Sequence, residues 1–152
     1  LFVRELDGTV KDITPGDKVK AGFGGWTEDK KTFFIVTNER DPRFMDFYKV
    51  SATDYSKKLF YKNDKGYFPA NISRDEQYVV MTKMNTTNDT DIILHELKSG
   101  KEKNITAHEG TVANGPLSID PESKYLYYST DEGSEFAYVK RYDIVTNWPN
   151  TD

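Results

Sequence analysis

ISRDEQYVVMT, Ile72 to Thr82, carries the pattern from which the rest of the chain can be read: a polar turn followed at once by a run of apolar, β-favouring residues. The same order returns at WTEDKKTFFIVT, Trp26 to Thr37, and at IDPESKYLYYST, Ile119 to Thr130, each with an apolar residue before the turn and a strand after it. The three copies start at 26, 72 and 119, spaced by 46 and 47 residues. A period of that length marks a repeated supersecondary unit. A longer-range echo supports it, since LDGTVKDIT, ending at Ile13-Thr14, matches LKSGKEKNIT, ending at Ile105-Thr106, two periods later.

Strands can be placed around these anchors. Leu1 to Leu6 and Val10 to Thr14 flank Asp7-Gly8, a two-residue hairpin signal. Gly22 to Thr27, Thr32 to Thr37, Asp46 to Ser51 and Lys58 to Tyr61 give four strands, and Phe68 to Ser73, Gln77 to Lys83, Asp91 to Leu97 and Lys103 to Thr106 give four more. Val112 to Ile119, Lys124 to Thr130 and Phe136 to Asp143 begin a third set that stops near Val145-Thr146. No 3.6-residue apolar stripe of ten or more residues appears, so the expected fold is all-β.

Four neighbouring antiparallel strands per 46-residue unit fit the blade of a β-propeller. The expected architecture is a partial β-propeller of about three blades: a strand pair over 1–14, a blade over 21–62, a blade over 67–106, a partial blade over 112–146 and a tail over 147–152. Propellers close with about four to eight blades. If each open end exposed roughly 400 Å² of apolar blade face, the lost burial at about 25 cal/mol per Å² would be of order 10 kcal/mol. Self-association through open blade edges, or cover from a longer parent chain, is therefore expected.

Composition removes several functions. Among 152 residues, 14% are aromatic, with ten Tyr and nine Phe, which suits half-buried pleated surfaces. Net charge is −4 and lysines are scattered through the turns, so the basic footprint that nucleic acid requires is missing. The absence of cysteine removes thiol catalysis and disulfides without fixing a compartment. Apolar runs reach four residues, as in Phe33 to Val36, far short of the ~20 that cross a bilayer, so no membrane is expected as partner. The opening LFVREL has neither an initiator Met nor a charged-then-apolar leader, and is read as a cut inside a longer chain.

TNERDPRFMDFYKV at Thr37 to Val50, TKMNTTNDTDIILHEL at Thr82 to Leu97 and HEGTVANGPLSIDPESKYLYYSTDEGSEFAYVKRYDI at His108 to Ile144 resemble the propeller of the prolyl oligopeptidase superfamily of serine peptidases, in particular its acylaminoacyl-peptidase-like and dipeptidyl-aminopeptidase-like members. The repeats by themselves resemble TolB-type periplasmic propellers equally well. The resemblance implies a non-catalytic propeller that gates access of peptides to an α/β-hydrolase domain absent from this chain, in a periplasmic or secreted protein, or otherwise a cytoplasmic one. The alternative is a TolB-like propeller that docks protein partners. A propeller-type sugar lyase would need a His-rich cluster, which two histidines do not supply.

No catalytic residue, cofactor or metal is expected. No Gly-x-Ser-x-Gly string occurs, and Ser134 is followed by Glu135 and Phe136. His95 and His108 have no activated nucleophile to serve and are read as surface or turn residues. Asn85, Asn88, Asp89 and Asp91 could offer oxygens to calcium, but they lack the central Gly and distal Glu of a calcium loop, and turn geometry explains them better. Asn-x-Ser/Thr sequons also fall in this loop, and at Asn71 and Asn104.

Four residues are candidate substrate contacts. Glu132 and Glu135, beside Asp131, follow a strand, and the resemblance implies that propeller glutamates hold a substrate's α-ammonium by charge-assisted hydrogen bonds. Arg40 and Arg43 could clamp a peptide carboxylate or carbonyl, a guanidinium fork suiting that geometry. The competing readings are a solvated acidic turn for the glutamates and an ion pair with Glu39 or Asp41 for the arginines. The aromatics Phe33, Phe34, Tyr125 and Tyr127 are expected in the core.

Overall fold

The computed structural model describes residues 1–147. Thirteen strands and one helical turn follow in order: β1 (Phe2–Arg4), β2 (Val10–Asp12), β3 (Ala21–Trp26), β4 (Thr32–Asp41), β5 (Phe44–Ser51), β6 (Lys57–Tyr61), β7 (Phe68–Ile72), β8 (Tyr78–Thr86), β9 (Asp89–Glu96), β10 (Glu102–Asn104), β11 (Asn114–Ile119), β12 (Tyr125–Thr130), β13 (Tyr138–Asp143) and α1 (Ile144–Asn147). They form four antiparallel sheets, β1-β2, β3-β4-β5-β6, β7-β8-β9-β10 and β11-β12-β13, each meandering in sequence order. The fold is all-β and is that of a partial β-propeller.

The repeated turn acts through side-chain oxygens. Ser73 Oγ donates to Asp75 Oδ1 at 2.6 Å and accepts the amide of Tyr78 at 2.8 Å, while the Ser73 amide donates to the Tyr78 carbonyl at 2.9 Å. Thr27 does the same with Asp29 and Thr32, and Asp120 accepts the amides of Lys124 and Tyr125 at 2.7 and 2.6 Å. Each turn places one non-glycine residue in the left-handed region, Lys30, Glu76 and Ser123, with φ of 58°, 58° and 57°. The first strand of each of the three larger sheets carries an extra residue against its neighbour, at Gly24, Ala70 and Leu117, so turn and bulge recur together at the same period.

Ser123 combines this left-handed backbone with a buried hydroxyl that has no hydrogen-bond partner among the described residues. Ser123→Gly removes both penalties and gives back only the glycine chain-entropy cost, so a gain of about 1 kcal/mol is expected. The urea unfolding midpoint checks it; a decrease would show that the left-handed geometry is not strained.

The chain divides into two compact units, Leu1–Tyr67 and the remainder from Phe68. Repeats that bury their faces on immediate neighbours need no single shared core. In the first unit Ile13, Phe33, Ile35 and Val50 form a buried cluster with Leu1, Val3, Tyr48 and Tyr55 packed against it. In the second, Val80, Ile92 and Leu94 of one sheet pack with Leu126, Tyr128 and Ile144, joined by Tyr78, Ile105, Ile119 and Tyr142. Val79, Val80 and Met81 are all fully buried although successive side chains point to opposite faces, whereas β12 buries only alternate residues.

Three details depart from the expected elements. Strands β4 and β8 run on to Asp41 and Thr86, past the expected ends at Thr37 and Lys83, because polar residues there find cross-strand partners. The third sheet is followed by the single turn α1 where the earlier units enter a fourth strand; Asp143 Oδ1 accepts the Thr146 amide at 2.9 Å and caps it. Of the expected tail, Asn147 belongs to α1, and 148–152 lie outside the described residues.

Candidate functional site

Within a four-stranded meander the second hairpin and the segment after the fourth strand lie at the same end of the sheet, and in each unit the candidate contacts belong to such a hairpin. In the first unit the hairpin from β4 to β5 turns through Pro42 and Arg43. Arg43 closes its fork on Asp41, with Nε–Oδ1 at 3.0 Å and Nη2–Oδ2 at 2.7 Å, and lies over the Phe44 ring 5.1 Å from its centroid. That hydrogen bonding holds the Asp41 carboxyl far below the ordinary range. Arg43 remains 76% exposed.

Arg40 is placed differently. Its guanidinium donates to Asp46 through Nε at 2.7 Å and Nη2 at 3.0 Å, and Nη2 also reaches the Asn63 carbonyl at 3.2 Å. Asp46 is fully buried and also accepts the Asn63 amide at 2.8 Å. The intra-turn partners expected for Arg40 are taken elsewhere, Asp41 by Arg43 and Glu39 by Lys57. Arg40 is thus committed to an internal carboxylate. Beside β1 the same unit has an apolar cavity of about 330 Å³ lined by Leu1, Phe2, Val3, Phe23, Trp26, Phe33, Ala52 and Tyr55, with Trp26 and Phe33 in edge contact at 5.2 Å.

In the second unit Glu132 and Glu135 lie on the hairpin loop between β12 and β13. The Glu132 carboxylate meets Lys140, whose hydrogen bond lowers its pKa, and Tyr138 Oη donates to the Glu132 carbonyl at 2.9 Å. Glu135 is exposed, and Asp131 Oδ1 accepts the Ala113 amide at 2.8 Å. Ser134 lies on this exposed turn with its Oγ accepting the Phe136 amide at 3.2 Å.

The histidines are not surface residues. The His108 side chain is only 6% exposed: Nδ1 lies 2.8 Å from the Thr106 carbonyl, Nε2 2.9 Å from Asp89 Oδ1, and Nδ1 3.5 Å from Asp91 Oδ1. The Thr106 carbonyl and the two carboxylates raise its pKa. Burial pushes the Asp91 carboxyl up, but hydrogen bonds from Asn85 and Asn104 and the charges of Lys83 and His108 bring it below its ordinary value. His95 is half-buried, with Nδ1 3.7 Å from Glu102 across β9 and β10. Neither Asp89 nor Asp91 is a free calcium ligand, and among the described residues no group of three or more His, Cys, Asp or Glu could hold a metal ion.

Sequence reasoning passed over Asp46 and set His108 aside as a surface or turn residue. A signal was present: Asp46 and Asp91 are 45 residues apart at matching places in β5 and β9, and Asn63 and His108, which engage them, are also 45 apart.

No family model matches the chain. A dipeptidyl aminopeptidase BIII from Pseudoxanthomonas mexicana is 24% identical over 143 residues, which is 91% of this chain and 20% of the relative. The resemblance to prolyl oligopeptidase superfamily propellers holds. Among solved structures, TolB from Acinetobacter baumannii is similar with a TM-score of 0.62 at 19% identity, covering 95% of this chain and 35% of TolB. A prolyl endopeptidase gives 0.63 at 16% identity over 95% of this chain and 23% of its own. A puromycin-hydrolyzing peptidase of Mycobacterium tuberculosis gives 0.59 at 14% identity, over 92% and 22%. These structural likenesses establish a propeller fold, and the sequence relative adds a similarity to a dipeptidyl aminopeptidase. The chain spans about a fifth of that relative's length.

Proposed function

We propose that this chain is a non-catalytic stretch of the propeller of a serine exopeptidase, controlling which peptides reach an α/β-hydrolase domain carried elsewhere in the parent protein. The observation that carries this reading is the alignment with the dipeptidyl aminopeptidase, which runs through 91% of the chain. In this reading Glu132 and Glu135, on one hairpin loop, attract a substrate's α-ammonium, and Arg43 meets a carbonyl or carboxylate. Arg40 only braces the hairpin through Asp46. A periplasmic or secreted location goes with the proposal; among the described residues no helix is long and apolar enough to cross a membrane.

The test is chemical. A serine-directed fluorophosphonate is expected to leave the purified chain unlabelled and to label the parent protein; covalent labelling of this chain would end the proposal. In the parent protein, Glu132→Gln with Glu135→Gln is expected to raise KM several-fold for peptides with a free amino terminus while sparing N-acetylated ones. A TolB-like docking propeller is the second reading, on the strength of the structural match that spans 95% of the chain. It predicts an amino-terminal α/β domain in the parent and no Gly-x-Ser-x-Gly.

Exposed Phe2, Phe23 and Trp26 around the apolar cavity, exposed Phe136 in the loop before β13 and exposed Val139 on it favour self-association of the isolated chain. Sedimentation velocity is expected to show mass rising with concentration; a monomer across the range would count against it.

A further inference from the structure

We propose that His108 is a proton-operated clasp between the β8–β9 hairpin and the segment joining β10 to β11. An acceptor faces each of its two ring nitrogens. Nδ1 points at the Thr106 carbonyl, which can only accept, and Nε2 at the Asp89 carboxylate, with Asp91 beside Nδ1. A neutral imidazole has one N–H, so it must turn a lone pair on one of these acceptors. The imidazolium satisfies both. It also sits between two anionic side chains from β9, one of them buried, which compensates the cost of a buried cation.

Lys83 of β8 lies 3.6 Å from Asp91 and shares that carboxylate with Asn85 at 3.0 Å. From the loop after β12, Glu132 feels the His108 charge and adds a further anion, although it is paired with Lys140. Asp131 binds the Ala113 amide of the joining segment, and Glu109 beside His108 is exposed. The negative groups thus outnumber Lys83 and Lys140, and the sum favours the cation.

The clasp has a mechanical consequence because the joining segment is tied to β9 next to His108. The Thr90 amide donates to the Val112 carbonyl at 3.0 Å, Thr90 Oγ1 and the Asn114 backbone share two 2.7 Å bonds, and Thr106 Oγ1 accepts the Ile92 amide at 2.8 Å. Asn114 opens β11, so holding the segment places the first strand of the next sheet. Because protonation is favoured in the folded state, this tie is fully present below the ordinary histidine pKa near 6.5 and is lost as pH rises through the raised value.

Nitrogen-15 NMR of the imidazoles in the 152-residue chain, followed through pH 5 to 9, tests this, with amide exchange corrected for its intrinsic pH dependence. The expected result is that His108 carries both N–H protons above the pH where a free imidazole loses one. Protection at Thr90, Ile92 and Asn114 should then fall by about tenfold or more as His108 titrates. Asp89→Asn should move the His108 titration to lower pH, and His108→Gln should make protection at the three amides independent of pH. A His108 that titrates like free histidine, or protection that ignores its titration, overturns the clasp. If His108→Gln does not fold, the wild-type titration and Asp89→Asn still decide the matter.

Discussion

Leu126→Ala is expected to lower the unfolding free energy by about 3–4 kcal/mol, within the range found when a buried leucine loses its side chain to a cavity. Leu126 is fully buried on β12 and belongs to the cluster of Val80, Ile92, Leu94, Tyr128 and Ile144. Its position decides where in that range the cost falls. Val80, Ile92, Leu94 and Tyr128 stand on strands held in hydrogen-bonded ladders, so they cannot close the void by shifting the backbone. Leu117, half-exposed on the neighbouring β11, is the control, and Leu117→Ala should change stability by less than about 0.5 kcal/mol. Urea unfolding of both variants makes the measurement. A loss below about 1 kcal/mol for Leu126→Ala would mean that these two sheets do not share a packed core.

Asp46→Ala carries the second largest expected effect, about 3 kcal/mol. Deleting the carboxylate strands the Asn63 amide in a site where Asn63 itself is almost wholly buried, an orphan donor worth about 1–3 kcal/mol, and opens space under the hairpin. It also takes from Arg40 the partner that keeps it folded back. Asp46→Asn retains an oxygen for the Asn63 amide and should lose about 1 kcal/mol, so the two variants separate the orphaned amide from the lost charge. Thermal unfolding together with exchange of the Asn63 amide reads both. If Asp46→Asn were as damaging as Asp46→Ala, the ion pair with Arg40 and not the amide would dominate.

The strands were legible because their cause is local. Alternating β-branched and aromatic residues need only their own backbone to declare a pleated surface, and the turns at Thr27, Ser73 and Asp120 are closed by side chains two to five residues away. Every expected strand is present, and the 46- and 47-residue spacing survives as turn, left-handed residue and bulge. The candidate site was legible only in part. Asn-Glu-Arg-Asp after Thr37 reads as loop because nothing adjacent marks it as strand, yet the strand runs on through an irregularity to Asp41, paired with Phe44, and Arg40 reaches Asp46 across the hairpin. His108 reads as a turn residue because the two aspartates that enclose it stand 17 and 19 positions earlier.

The sequence by itself determined the all-β class, the order of strands and the repeated unit, since these rest on interactions within a few residues and on the two-residue alternation of a pleated strand. Tertiary structure alone decided which polar residues are buried, that Arg40 takes Asp46 and not a neighbour in its own turn, and that His108 is enclosed by Asp89 and Asp91. Those outcomes depend on desolvation and on partners brought together from distant positions, and no local stretch of sequence contains either.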